Sequence, residues 1–286
     1  MTAVFMPPSP MLPSLMALDW PSQNGTIINN FGWNDNGRPV LGMSFRVDGE
    51  IESSGAGEVL FMGGSRKGIR GLPSPLGTWT ALDHGDGIIS VYSRMDESGS
   101  RPDHPFVMEK NTVLGNAGTS GWSSAIGFYY FLYDRKERRW VNPMMIVNPK
   151  PDTRQPLINS VRLRNTEGRM INPAEARALS QGRYVISVGA TDTMIAANEA
   201  PLAPFRITCS VNGIETGLLN FETYSARDGS LMVYRNGLVP VREIFSPQPG
   251  WEIGEIRFTR GQATLDVVVQ DFSGNSRNVV YRLQVE

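Results

Sequence analysis

The sequence consists largely of short runs in which apolar and polar residues alternate, separated by clusters of turn residues. In one clear run, Phe205, Ile207, Cys209 and Val211 alternate with polar residues. A period of two places apolar side chains on one face of a β-strand. The turn clusters, to which 30 Gly and 20 Pro contribute, recur about every 8–12 residues, a spacing typical of antiparallel β folds. The sequence therefore predicts an all-β, antiparallel protein.

The predicted strands fall into two groups. Those of the first half are residues 59–62, 78–82, 88–92, 128–133 and 140–147, and those of the second half are 157–164, 183–188, 204–211, 230–234, 255–259, 263–270 and 278–285. The Asp86-Gly87 pair predicts a hairpin turn between two of the strands. One short helix is predicted over residues 173–180, where Asn172 can cap the first turn. A hairpin turn is favoured over a calcium loop at 271–275, because alternating acids are absent there.

The chain length and a local change in composition predict two domains. A chain of 286 residues exceeds a usual single domain, and the Pro-rich segment 148–151 marks a boundary. We expect an N-terminal arm or a signal-peptide remnant over residues 1–20, a first domain over 21–150 and an Ig-like β-sandwich over 151–286. Prolines interrupt the apolar start of the chain, so that we expect no transmembrane segment.

Charge and rare residues exclude several function classes. Lys plus Arg (27) nearly balances Asp plus Glu (28), so that nucleic acid is not an expected partner. The one cysteine, Cys209, is expected on the buried face of its strand rather than as a nucleophile. Only His84 and His104 are available for histidine-based catalysis.

Five segments resemble, in order, those of the LytM (lysostaphin-type) zinc endopeptidases, which cut peptidoglycan cross-bridges. The segments are residues 31–32, 51–61, 83–92, 113–121 and 141–143. The resemblance implies a LytM-like antiparallel β domain over about 120 residues.

The resemblance also shows which family positions have changed. Where the family has the zinc-binding H-x(3)-D motif, this chain has Gly42 and Arg46. The Y-x-H histidine is replaced by Arg94, and the H-x-H pair by Phe128 and Tyr130. Gly, Arg and Phe do not bind zinc, so we expect no zinc, no metal site and no catalytic residue.

Two fates of the altered site remain open. The expected ligand groove would comprise Arg46, Arg94, Trp122, Phe128, Tyr130 and His84, with guanidinium groups for a carboxylate and aromatic faces for an apolar stem. Alternatively, the aromatic residues fill the vacated space as core and the arginines pair with acids. His84 matches a family histidine that is not a ligand, which favours a structural role.

These observations favour a non-catalytic protein of the bacterial periplasm or cell envelope. It would bind peptidoglycan, or regulate or scaffold a cell-wall hydrolase. Two alternatives are an active peptidoglycan metallo-endopeptidase with an atypical site using His84 and His104, and a structural or adhesive β protein.

Overall fold

The computed structural model describes residues 18–63, 74–97, 106–123, 125–193 and 200–286. In these residues the regular structure is β-strand with two short 3-10 turns, Pro143–Met145 and Val241–Glu243. The pairings between strands are antiparallel. The predicted all-β, antiparallel fold class is thus confirmed. No helix among the described residues is long and apolar enough to cross a membrane.

The strands of the first half are Thr26–Asn29 (β1), Asn34–Asp35 (β2), Arg38–Pro39 (β3), Met43–Arg46 (β4), Glu50–Glu52 (β5), Gly57–Gly63 (β6), Thr78–Asp83 (β7), Ile88–Met95 (β8), Val107–Met108 (β9), Val113–Asn116 (β10), Phe128–Asp134 (β11) and Arg139–Val141 (β12). Most of them form a sheet in the order β1-β4-β11-β8-β7-β6-β9. The inward side chains of its central strands, among them Met43, Phe45, Tyr92, Tyr130 and Leu132, are almost completely buried.

The strands of the second half are Leu157–Asn165 (β13), Met170–Ile171 (β14), Gly182–Thr191 (β15), Arg206–Val211 (β16), Ile214–Arg227 (β17), Ser230–Arg235 (β18), Leu238–Pro240 (β19), Trp251–Phe258 (β20), Gly261–Gln270 (β21) and Ser276–Val285 (β22). One layer has the order β14-β13-β15-β20, and the other contains β22-β21-β16-β17 with β18 and β19 attached. Both layers contribute to one apolar core, which includes Ile186, Cys209 and Val267. Two packed layers are consistent with a sandwich, and its Ig-like assignment stays a prediction.

Three sequence expectations differ from the structure. The strand expected over 140–147 ends at Val141, because Asn142 caps the 3-10 turn that starts at Pro143. The helix expected over 173–180 is wrong: the chain makes a turn after Asn172, and Leu179 then bridges to Val285 of β22. The longest strand, β17, was not predicted, since an irregularity in its pairing with β18 interrupts its alternation.

The large sheet runs across the boundary expected near residue 150. Strand β12 pairs with β17, with Trp140 opposite Tyr224. Phe31, from the first half, is buried in the core of the second half. The Nε1 group of Trp251 donates to the carbonyl of Gly32 at 3.2 Å. The two halves therefore share both a sheet and part of a core.

Asn142 supplies hydrogen bonds at this junction. Its Nδ2 group donates to the Phe221 carbonyl at 2.9 Å, and its Oδ1 accepts from the Met144 amide at 3.1 Å. Asn142→Ala leaves a buried carbonyl without this partner, and we expect a loss of about 1–3 kcal/mol in the free energy of unfolding, measured in urea. Asn159→Ala, which removes an exposed hydrogen bond to Thr191, is the control, with an expected change below about 0.5 kcal/mol. Equal losses in the two variants would contradict the prediction.

Candidate functional site

Three adjacent strands carry the positions that the resemblance singles out. Strand β11 lies between β4 and β8, so that Tyr130 is opposite Met43 on one side and Tyr92 on the other. Successive side chains of a strand point to opposite faces of the sheet. The face of each residue therefore decides whether it belongs to a common site.

Phe128 and Tyr130 lie on the buried face. The ring of Phe128 stacks on that of Phe45 with centroids 4.6 Å apart and planes 4° apart. The Tyr130 hydroxyl is 3.0 Å from Ser54 Oγ, and burial raises its pKa well above the ordinary value. These two residues fill the core, as one of the two alternatives expected, and they do not line a groove.

Gly42 points to the opposite face and has no room for a side chain. A Cβ atom on Gly42 would lie 2.7 Å from Phe131 Cβ and 3.0 Å from Tyr129 Cζ, and closer still to the carbonyl oxygen of Tyr130. The backbone just before β4 therefore packs directly against β11, at the position that the resemblance assigns to the first zinc ligand. A ligating side chain cannot be accommodated here without moving the sheet.

Two other expected groove residues are exposed and do not line a common groove with Phe128 and Tyr130. Arg46 is exposed at the end of β4, opposite Thr26 of β1. Trp122 is 73% exposed in the turn before β11. The groove is therefore not assembled from the residues that the sequence predicted. His104 lies outside the described residues.

Arg94 occupies an irregular point of β8. The register between β7 and β8 shifts between Thr78 and Trp79, which face Met95 and Ser93, so that Arg94 is the extra residue of a bulge. Its φ angle is 66°, in the left-handed region that non-glycine residues seldom adopt. The guanidinium lies 5.2 Å from the centroid of the Tyr129 ring. Strained residues and bulges are concentrated at functional sites, where they redirect a side chain.

The Arg94 side chain faces an open surface groove of about 490 Å³. We call it the Arg94 groove, and its lining includes Asp35, Arg38, Arg94, Tyr129, Phe131 and Trp140. No carboxylate from a described residue lies within ion-pair distance of Arg94. The groove thus combines guanidinium groups with aromatic walls, the chemistry expected from the sequence but on the other side of β11.

Tyr129 forms part of the groove wall. Burial raises the pKa of its hydroxyl, while the charge of Arg94 and a hydrogen bond to the Leu41 backbone oppose the rise. The hydroxyl is therefore neutral at physiological pH. A neutral ring beneath a guanidinium holds the cation by cation–π attraction and leaves its outer N–H groups for a ligand.

His84 belongs to a chain of hydroxyl groups inside the first half. Its Nδ1 is 2.8 Å from the Ala56 carbonyl oxygen, and its Nε2 is 2.7 Å from Ser90 Oγ. Ser90 Oγ is in turn 3.1 Å from the Tyr92 hydroxyl, which is 2.6 Å from Ser54 Oγ. Because a carbonyl only accepts, Nδ1 donates its proton to the Ala56 oxygen. These contacts support the expected structural role.

The residues that the resemblance assigns to the zinc-ligand positions do not fit zinc. Zinc sites in proteins use Cys, His, Asp or Glu. Here the positions hold a glycine in close contact with β11, an exposed Arg46, Arg94 over an aromatic ring, and the buried Phe128 and Tyr130. The Tyr130 hydroxyl is the one potential oxygen donor of this set, and its raised pKa keeps it protonated.

Comparisons with known proteins give similarity over parts of the chain. A protein-family model matches residues 155–286. No curated protein matches the chain. The catalytic domain of prophage-encoded EnpA from Enterococcus faecalis, solved as a histidine variant, is 20% identical over 45% of this chain and 95% of its own, with a TM-score of 0.36.

Two further solved structures are similar to this chain at comparable levels. The SpoIIQ–SpoIIIAH pore-forming complex is 18% identical over 47% of this chain and 93% of that chain, with a TM-score of 0.37. The antimicrobial peptidase lysostaphin from Staphylococcus simulans is 15% identical over 76% of this chain and 86% of its own, with a TM-score of 0.37.

The close packing at Gly42 predicts a strong response to one added methyl group. Gly42→Ala forces its Cβ into the β11 backbone, and we expect a loss of about 1–3 kcal/mol, measured as a lower Tm and a lower urea midpoint. Gly49→Ala is the matched control, because a Cβ there meets nothing nearer than Val47 Cγ2 at 4.0 Å. A Gly42→Ala protein as stable as Gly49→Ala would show that β4 and β11 pack less closely than described.

The half-buried position of His84 predicts a pH-dependent contribution to stability. Burial lowers its pKa below the ordinary value of 6.5, against opposing effects of Ala56 and Asp83. At this position the unfolded chain therefore binds the proton more readily than the folded chain. The contribution of His84 to stability should be complete above pH 6.5 and fall as the pH drops below it towards the folded pKa. Urea unfolding across this range should give a smaller slope for His84→Gln, in which His104 is still present, and equal slopes would contradict the prediction.

Proposed function

We propose that this chain is a non-catalytic protein of the bacterial cell envelope that binds peptidoglycan through the Arg94 groove. The observation that supports this proposal most is the close packing at Gly42, which leaves no space for a side chain where the resemblance expects a zinc ligand. The five segments that resemble LytM endopeptidases support the link to peptidoglycan, and the loss of the ligands supports a binding role.

The chemistry of the groove supports a peptide ligand with a carboxylate. The stem peptides of peptidoglycan carry carboxylates next to small apolar side chains. Arg94 and Arg38 offer forked N–H donors for a carboxylate, and Tyr129, Phe131 and Trp140 offer apolar faces. Asp35, in the same lining, is a carboxylate that can hold an amino group of the ligand.

Sedimentation with purified sacculi tests this proposal directly. We expect the protein in the pellet and no muropeptides in the supernatant. Arg94→Gln removes the charge that faces the groove. We expect the affinity for sacculi to fall at least about tenfold, because a hydrogen bond to a charged group contributes about 1.5–3 kcal/mol. Arg46→Gln is the matched control, because Arg46 is exposed outside the groove.

Three results would contradict the proposal. Equal loss of binding in both arginine variants would indicate non-specific charge attraction. Capture of a wall hydrolase without affinity for sacculi would replace peptidoglycan by a protein partner. Muropeptides released by the protein and abolished by a chelator would establish an atypical metallo-endopeptidase.

Zinc content provides an independent check. After refolding with zinc and removal of free metal, we expect less than about a tenth of an equivalent of bound zinc, because the altered positions offer no ligand set. Atomic absorption measures this value. A full equivalent of bound zinc would contradict the assignment.

A further inference from the structure

Three aspartates from distant parts of the chain meet near the junction of the two halves. Asp152 follows the Pro-rich segment, Asp192 directly follows β15, and Asp271 directly follows β21. One carboxylate oxygen from each lies within 4.8 Å of the other two. Since β15 and β21 belong to different layers, the cluster joins the ends of both layers to the linking segment.

The cluster contains a buried carboxylate oxygen with no partner. Asp192 is 6% exposed, and its Oδ1 has no hydrogen-bond partner among the described residues. Buried polar atoms are almost always paired, so an unpaired one needs an explanation. Asp271, 1% exposed, is by contrast satisfied by Asn275, whose amide and Nδ2 donate to its two oxygens at 2.8 Å.

The electrostatic surroundings also favour a bound cation. Among the described residues, no cationic side chain forms an ion pair with Asp152, Asp192 or Asp271. Three carboxylates this close repel one another when ionised, and a bound cation removes that repulsion.

A small cavity lies beside the cluster. It has a volume of about 20 Å³ and is lined by Asp152, Asp192 and Ser273, together with Met43 and Met144 from the first half. This volume exceeds the space that one water-sized sphere requires. The cavity can therefore hold one ion or one water molecule next to the unpaired oxygen.

We propose that Asp152, Asp192 and Asp271 bind one calcium ion. Carboxylates without His or Cys select hard cations such as Ca²⁺, Mg²⁺ or Mn²⁺. Calcium accepts irregular geometry and carboxylates that bind through one or two oxygens, whereas Mg²⁺ demands a near-ideal octahedron. Three side chains from three separate segments form such an irregular set, and water completes the coordination. The proposal is independent of the proposed peptidoglycan binding.

The bound ion would connect the segment around Asp152, which links the two halves, to Asp192 and Asp271 of the second half. Asn275 Nδ2 already donates to the Asp152 carbonyl at 3.2 Å, and Asp192 exchanges backbone hydrogen bonds with Leu202 at 2.8 and 2.9 Å. Calcium adds bonds to the same segments. It therefore stabilises the folded chain, because the unfolded chain does not hold the three carboxylates together.

Calorimetric titration of the metal-free full chain with CaCl₂ tests the proposal. We expect one equivalent to bind, and saturating calcium to raise the Tm at pH 8 by about 5–10 °C. In Asp192→Asn we expect both effects to disappear, while its metal-free Tm is no lower than that of the wild type, because a buried charge has been removed. Asp266→Asn is the matched control: Asp266 also has an unpaired buried Oδ1 but lies outside the cluster, so this variant should keep the full calcium response.

No binding at millimolar calcium, an unchanged response in Asp192→Asn, or equal affinity for Mg²⁺ would overturn the proposal.

Discussion

The alternation of side chains along β11 decides what the altered site can be. Phe128 and Tyr130 face the core, whereas Tyr129 and Phe131 face the surface. Because the period of a strand is two, a shift of one residue exchanges the faces completely. In the core, Phe128 stacks on Phe45 and the Tyr130 hydroxyl forms a hydrogen bond with Ser54. The surface pair is then left to form a groove with Arg94.

The core beneath the sheet depends on polar as well as apolar contacts. Tyr92 and Tyr130 have ring centroids 5.2 Å apart, and both hydroxyls reach Ser54. Burial without these bonds would cost free energy for each hydroxyl. Further hydrogen bonds lead from Tyr92 through Ser90 to His84, at the edge of the core. His84 therefore acts as the terminal partner of a core network, in line with the structural role expected for it.

Sequence patterns predicted the parts of the fold that depend on local chemistry. The alternating runs marked most strands of both halves, and the Asp86-Gly87 turn joins β7 to β8 as expected. The strand β17 was missed because the irregularity between Asn220 and Tyr224 interrupts its alternation of apolar and polar residues. This strand also joins the two halves, through its pairing with β12. The arginine that faces the groove was identified, and the core position of Phe128 and Tyr130 was one of the two alternatives that the sequence left open. Alternation gives two faces, and only the packing of β4 against β11 shows which is buried.

The aspartate cluster could not be found by reading along the chain. Asp152, Asp192 and Asp271 are separated by about 40 and 80 residues, and the turn at 271–275 has no acidic pattern of its own. The ends of two strands in opposite layers and a proline-rich link bring the acids together. The same junction holds the β12–β17 pairing and the Asn142 bonds to β17. Repulsion among three ionised acids would work against this junction, so the proposed cation would stabilise the place where the halves join.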